Sequence, residues 1–247
     1  MPEPESQPSI SPTSASRYRK LSIVIPVYNE RNTVVEIVRR VRQVELPGGL
    51  DREVIIVDDG STDGTREVLD QLGDSTVRII KNPTNRGKGY ALRTGFAAAT
   101  GELVIVQDAD LEYDPEDYPR LINPVLRGKA RVVYGSRFTG ERRNMLFLHW
   151  VGNRFLSLMT NVLYNSTLSD METCYKLFDR ELLMTLGLES DAFEIEAEVT
   201  AKLLKRRVRI YEVPISYAGR EFDEGKKITW RDGITALWTL FKYRVRD

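Results

Sequence analysis

From Leu21 onward the chain alternates short, nearly continuous apolar runs with amphipathic stretches. The runs are LSIVIPVY, EVIIVDDGS, VRIIKNP, ELVIVQDAD and ARVVYGSRF, and helical periodicity occupies about 30–44, 63–72, 86–100 and 115–127 between or beside them. Apolar residues in succession, rather than in alternation, suit strands covered on both faces by helices, so the pattern predicts an α/β fold with a mostly parallel central sheet and right-handed crossovers. Beyond about 140 the pattern changes to an apolar-rich segment from Met145 to Tyr164, helix-like stretches near 179–187 and 194–206, a strand within RIYEVPISY, and a last helix from about Trp230 to Tyr243. These elements hold too few strands for an independent second sheet. Residues 18–247 are therefore expected to form one domain, in which 18–140 bind the ligand and 141–247 form a helical subregion that completes the site. Residues 1–17 are rich in Pro and Ser with Ile10 as the one large aliphatic side chain, too little apolar surface to offset the entropy of ordering, and are expected to be a disordered tail.

Composition narrows the function classes. With 36 Lys+Arg against 36 Asp+Glu the net charge is zero, so nothing pulls the whole chain toward nucleic acid and none is expected as a partner. A single Cys and a single His exclude an intramolecular disulfide and a multi-His or Cys/His zinc site, which leaves carboxylates as the ligands of any metal. His149 and Cys174 read as packing residues. No apolar run reaches the roughly 18–20 residues of a membrane-spanning helix and the N-terminus lacks the pattern of a signal peptide, so a cytoplasmic location is expected.

In open α/β sheets ligands bind beyond the carboxyl ends of the strands. Here those ends are polar: Pro26, Tyr28, Asn29 and Glu30 follow the first run, Asp58, Asp59, Gly60 and Ser61 the second, and Asp108, Asp110 and Glu112 the fourth. Asp108 and Asp110, one residue apart at the end of a buried strand, repel each other unless a cation lies between them, and Mg²⁺ or Mn²⁺ held by one or two carboxylates plus substrate phosphates meets that need. The alternative is that they cap the helix following Pro115. In VDDGSTDGT the glycines and Ser61 or Asp63 serve a turn and a helix cap, whereas Asp58 is left to accept an N–H from a nucleobase. NRGKGYALRTGF places Gly87, Gly89, Arg86 and Lys88 at a helix start, suited to a phosphate-bearing ligand, or else to packing and solubility. It is not a Walker A sequence.

PVYNE, VDDGSTDGT, NRGKGYALRTG, DADLE, GSRF, SDMETCYKLF and EVPISY, in this order from about Leu21 to Lys227, together resemble glycosyltransferase family 2, and within it the dolichol-phosphate mannose synthase-like branch. The resemblance implies a GT-A fold, a nucleotide-sugar donor, Mg²⁺ or Mn²⁺, and inversion at the anomeric carbon. It implies that Pro26, Tyr28, Glu30, Ile56 and Asp58 hold the nucleoside, and that Asp108, Ala109, Asp110 and Glu112 surround the metal and diphosphate, with Asp108, Asp110 and Glu112 as metal ligands. Arg137, Arg220 and Lys226, or Lys227 with the register shifted by one, fall where the branch places basic residues around donor and acceptor phosphates. Asp110, Arg137 and Arg220 are thus the expected catalytic residues. The chain lacks the C-terminal transmembrane pair of some relatives and the Gln-x-x-Arg-Trp signature of processive synthases.

The implied reaction moves a hexose, mannose from GDP-mannose first, to a polyprenyl or dolichyl phosphate. A UDP-sugar donor with a hydroxyl acceptor is the alternative, and a non-catalytic nucleotide-sugar-binding protein a third. An anionic phosphate acceptor needs no general base; a hydroxyl does, and Glu194 and Glu196 in DAFEIEAEV are candidates for that task, for sugar recognition, or simply for the first turn of a helix. A lipid acceptor brings the chain to a bilayer surface on the cytoplasmic face. The segment around Phe147, Trp150 and Phe155 with Arg142, Arg143 and Arg154, and the one carrying Trp230, Trp238 and Phe241 with Arg231, Lys242 and Arg244, suit such peripheral contact, or else cover the sheet or a second copy.

Overall fold

β1 (Lys20–Val27) buries Leu21 through Ile25 completely, as a strand covered on both faces must. The computed structural model describes residues 17–72, 76–220 and 230–246. β2 (Asp51–Asp58), β3 (Val77–Lys81), β4 (Leu103–Val106), β5 (Val132–Ser136), β6 (Lys176–Asp179) and β7 (Tyr211–Pro214) join β1 in one sheet ordered β3-β2-β1-β4-β6-β5-β7. β6 runs antiparallel to both its neighbours, and the remaining pairs are parallel. Pro214, which donates no N–H, closes the strand at the sheet edge, where its absence is tolerated.

The helices are α1 (Val34–Gln43), α2 (Thr65–Leu72), α3 (Lys88–Ala98), α4 (Tyr118–Leu126), α5 (Phe147–Tyr164), α6 (Arg180–Thr185), α7 (Ile195–Lys205) and α8 (Trp230–Val245). α1 turns Val34, Ile37, Val38 and Val41 into the core at helical spacing. It begins later than the expected residue 30 because Asn29 takes a left-handed φ of 53°, and the Glu30 carbonyl accepts the N–H groups of Thr33 and Val34. A second, smaller cluster of Leu156, Met171, Ala197, Ala201, Ala236, Leu240 and Tyr243 joins α5, α7 and α8.

Two expectations need correction. The segment that becomes β6 did not read as a strand, because it is four residues long and opens with Lys176, which is only 1% exposed and carries its ammonium against Glu196. A buried ion pair breaks the apolar run by which the other strands announce themselves. Arg17, placed in the disordered tail by composition, instead donates to Asp179 at 3.0 Å and to Glu181 at 3.1 Å. The rest of that tail lies outside the described residues.

The chain proceeds from β1 outward through β2 and β3, then returns to lay β4 on the other side of β1. Strand order therefore reverses at β1 and β4, the place where open α/β sheets leave a crevice at their carboxyl ends. Val27 is level with Asp58, and Val24 with Val106, so the loops after β1, β2 and β4 leave the sheet on one edge.

Candidate active site

The acidic loop after β4 lies at that crevice. Leu111 adopts a left-handed φ of 64°, a conformation costly for a branched side chain, and so turns the backbone sharply between Asp110 and Glu112. Burial, reinforced by the charges of Asp108 and Glu112 and opposed by Arg220, pushes the Asp110 carboxyl up to about 8. Such an arrangement is unfavourable without a further cation and fits one. Among the described residues no three metal-ligating side chains converge, and the two Glu112 oxygens accept from the Tyr217 hydroxyl and the Arg220 N–H, both at 2.8 Å. Asp108 and Asp110 fit an ion that takes its other ligands from a diphosphate and water.

Arg220 fastens this loop to the loop after β1. Its Nε donates to the Asp110 carbonyl at 2.8 Å and its Nη2 to Glu30 at 2.9 Å, and although burial disfavours its charge, Glu30 and Asp110 hold the guanidinium above its ordinary range. Lys88, at the start of α3, lies 2.8 Å from Asp108 and 3.4 Å from Glu196. Burial works against this ammonium, yet Asp108 and Glu196 outweigh it and keep it protonated. Glu196 also pairs with Lys176, so a chain of alternating charge, Asp108, Lys88, Glu196, Lys176, extends from the acidic loop into the core. Nearby, burial pushes Glu172 up to about 7, and its Oε1, like Thr173 Oγ1 and Glu196 Oε1, is buried without a hydrogen bond. The pairing of Glu196 with Lys88 and Lys176 was invisible in the sequence because it joins α7, α3 and β6 through space.

The other sequence candidates occupy the following places. Asp58 is wholly buried at the end of β2, and its oxygens accept from Ser61 N at 3.2 Å and Arg66 Nε at 2.7 Å. Ile56 has no exposed surface and packs in the sheet core. Pro26 and Tyr28 are half-buried at the end of β1, beside Glu30, while Ala109 is buried between the two aspartates. Arg137 is held by Asp170, which accepts from its N, Nε and Nη2 at 2.9, 2.8 and 2.7 Å. Burial opposes its charge and Asp170 more than restores it. Glu194 turns back onto the Ala192 N–H at the start of α7. Cys174 is buried, and burial with the nearby Asp108 pushes its thiol up, in keeping with a packing role. Lys226 and Lys227 lie outside the described residues.

The glycines of NRGKGY allow close packing. A Cβ on Gly87 or Gly89 would stand 2.4 Å from the carbonyl oxygens of Asp191 or Ser190, and the Asp191 carbonyl accepts the Tyr90 N–H, so the 190–192 backbone lies directly against this helix start. Asp59 sets this turn by accepting from Arg86 N, Gly87 N and Asn82 Nδ2. Because Gly87 also has a φ of +105°, Gly87→Ala is expected to cost at least about 1–3 kcal/mol, measured by urea unfolding. An unchanged midpoint would show that the 190–192 loop yields freely.

Comparison with known proteins places this arrangement. The model of the family described as glycosyl transferase family 2 matches residues 22–187. The chain is 32% identical over 204 residues to the low-salt glycan biosynthesis hexosyltransferase Agl6 of Haloferax volcanii, covering 81% of this chain and 48% of that protein. It is 29% identical over 221 residues to an undecaprenyl-phosphate 4-deoxy-4-formamido-L-arabinose transferase of an Enterobacter species, covering 87% and 64%. The chain thus spans about half to two thirds of the length of these relatives. Glucosyl-3-phosphoglycerate synthase of Mycobacterium tuberculosis, solved with Mn²⁺, UDP and phosphoglyceric acid, superposes with a TM-score of 0.72 at 23% identity, over 94% of this chain and 81% of that one, a likeness of fold. With a GT-A-type sheet, an acidic loop at its switch point and a family match across most of the folded region, this chain belongs to glycosyl transferase family 2.

Proposed function

We propose that the protein is an inverting hexosyltransferase that moves a sugar, mannose from GDP-mannose first and a UDP-sugar otherwise, to a polyprenyl phosphate in the presence of Mg²⁺ or Mn²⁺. The observation that carries this reading is the placement of Asp108 and Asp110 on the loop after β4, at the switch point of the sheet, where burial and neighbouring carboxylates raise the Asp110 carboxyl. Asp108 and Asp110 would hold the divalent ion, which when bound stabilises negative charge on the departing diphosphate. Arg220, fixed by Glu30 and the Asp110 carbonyl, directs a cationic group at the same edge. An acceptor phosphate oxygen attacks C1 of the sugar as the bond from C1 to the diphosphate oxygen breaks, and the nucleoside diphosphate leaves. The attacking oxygen is already anionic, so no residue need remove a proton. The Enterobacter relative, named for an undecaprenyl-phosphate acceptor, supports this choice over a hydroxyl.

A thermal-shift panel of GDP-mannose, UDP-glucose and UDP-N-acetylglucosamine, each with and without Mn²⁺, tests the donor, since a ligand bound only by the folded chain raises its midpoint. One donor is expected to raise the midpoint in a cation-dependent way and then to turn over only with polyprenyl phosphate. No shift with any donor would remove the reading.

A further inference from the structure

α5 is built inside out for a helix in water. Its buried residues are Leu156, Ser157 and Thr160, and Asn153 and Asn161 are also turned to hydrogen bonds within the protein. Its exposed face instead carries Phe147, Leu148, Val151, Phe155, Leu158 and Val162, with Phe147 72% and Leu148 79% accessible. From Leu148 the spacing is 3, 4, 3, 4, which keeps these side chains in one stripe along the helix. α8 repeats the design: it buries Ala236, Thr239, Leu240 and Tyr243 and exposes Trp230, Ile234, Trp238, Phe241 and Val245. The two helices pack on each other through the second hydrophobic cluster, so both stripes belong to one part of the surface. Isolated exposed apolar residues are ordinary, whereas two such stripes on neighbouring helices mark a contact surface.

The charges say what it contacts. Across both helices Arg154, Arg231, Lys242 and Arg244 stand against a single acid, Asp232, and Arg142 and Arg143, beside Glu141, lie in the segment that leads to α5. A second copy docked by a two-fold axis would set these cations against themselves. An anionic bilayer matches them, and Trp, Phe and Leu flanked by Arg and Lys are the side chains that settle at the depth of lipid headgroups. No described helix is long and apolar enough to cross a membrane. We infer that the exposed faces of α5 and α8 form one docking surface for an anionic lipid bilayer, on which these two helices lie. The surface adjoins the site: Asn153 of α5 accepts from Arg137, and a cavity of about 350 Å³ is lined by Glu112 and Tyr217 of the acidic loop's surroundings together with Arg142 and Arg143. If the acceptor is the polyprenyl phosphate proposed above, docking brings its headgroup to the level of this cavity; the docking itself does not depend on that reading.

The test is flotation of the full chain with vesicles of phosphatidylcholine, with or without phosphatidylglycerol, together with light scattering of the free protein. The wild type is expected to float with the anionic vesicles and to remain at the bottom with phosphatidylcholine alone. Leu148→Glu with Leu158→Glu should abolish flotation, and Arg231→Glu should weaken the affinity at least about fivefold, as expected for loss of a basic residue near a charged bilayer. These side chains are exposed, so unchanged thermal midpoints will show that the fold is intact. Failure of the wild type to bind anionic vesicles overturns the proposal. So does a dimer in light scattering that the two glutamates dissociate, when no vesicle binding accompanies it. Neither readout uses a donor or acceptor, so sugar transfer can succeed while docking fails, and the reverse.

Discussion

Asp110→Asn is expected to reduce sugar transfer by at least about a thousandfold, corresponding to the several kcal/mol that a bound divalent ion supplies at a developing negative charge, and to stabilise the cation-free protein at alkaline pH. Both effects come from one cause. In the unfolded chain the Asp110 carboxyl titrates near 3.8, whereas burial beside Asp108 and Glu112 pushes it up to about 8 in the fold. The folded state thus holds this proton more tightly, and the stability linked to it is present in full below about pH 3.8 and is lost as pH rises through about 8. Asparagine keeps the shape and removes the charge. The midpoint of the variant should therefore exceed that of the wild type by an amount that grows between about pH 4 and about pH 8 and then levels off. Saturating Mg²⁺ should flatten the pH dependence of the wild type and leave the variant unchanged. Transfer retained by the variant would remove the metal-binding role, and a difference in midpoint independent of pH would remove the account of the Asp110 charge.

The largest loss of stability is expected at Asp170. This carboxylate is wholly buried and receives three N–H groups of Arg137, which is itself enclosed. Asp170→Ala leaves the guanidinium charged and unpaired in the interior, a change that costs about 3–5 kcal/mol when a buried pair is broken. Urea unfolding measures it directly. Arg137→Met combined with Asp170→Ala should be more stable than Asp170→Ala alone, because no unpaired charge remains, and the double-mutant cycle isolates the pairing. If the single and double variants unfold at the same urea concentration, the stability resides in packing and the ion pair contributes little. Arg137 was legible in the sequence as a candidate for binding phosphate. Asp170, the group that positions it, was not, because the two meet only when the segment ahead of β6 folds back against the end of β5.

The sequence by itself determined the layered architecture and the chemistry of one sheet edge. β1, β2, β4 and β5 are legible because strands buried on both faces must be apolar at successive positions, and the acids after β1, β2 and β4 are legible because polar residues that end such runs have only the sheet edge to occupy. The motif string was specific enough to carry the family as well. Tertiary structure alone decided which residues of those motifs touch one another. It gave Asp58 to Arg66, filled the space beside Gly87 and Gly89 with the 190–192 backbone, tied Glu112 to Tyr217 and Arg220, and inserted β6 with a buried lysine between β4 and β5. It also decided the direction in which α5 and α8 face. An apolar-rich helix reads alike whether its large side chains point inward or outward, and only the packing of Leu156, Ala236 and Leu240 with Ala197 and Ala201 of α7 fixes the rotation that leaves Phe147, Leu148 and Trp238 in the open. Periodicity along a chain reports that a face exists; what covers that face depends on the rest of the fold.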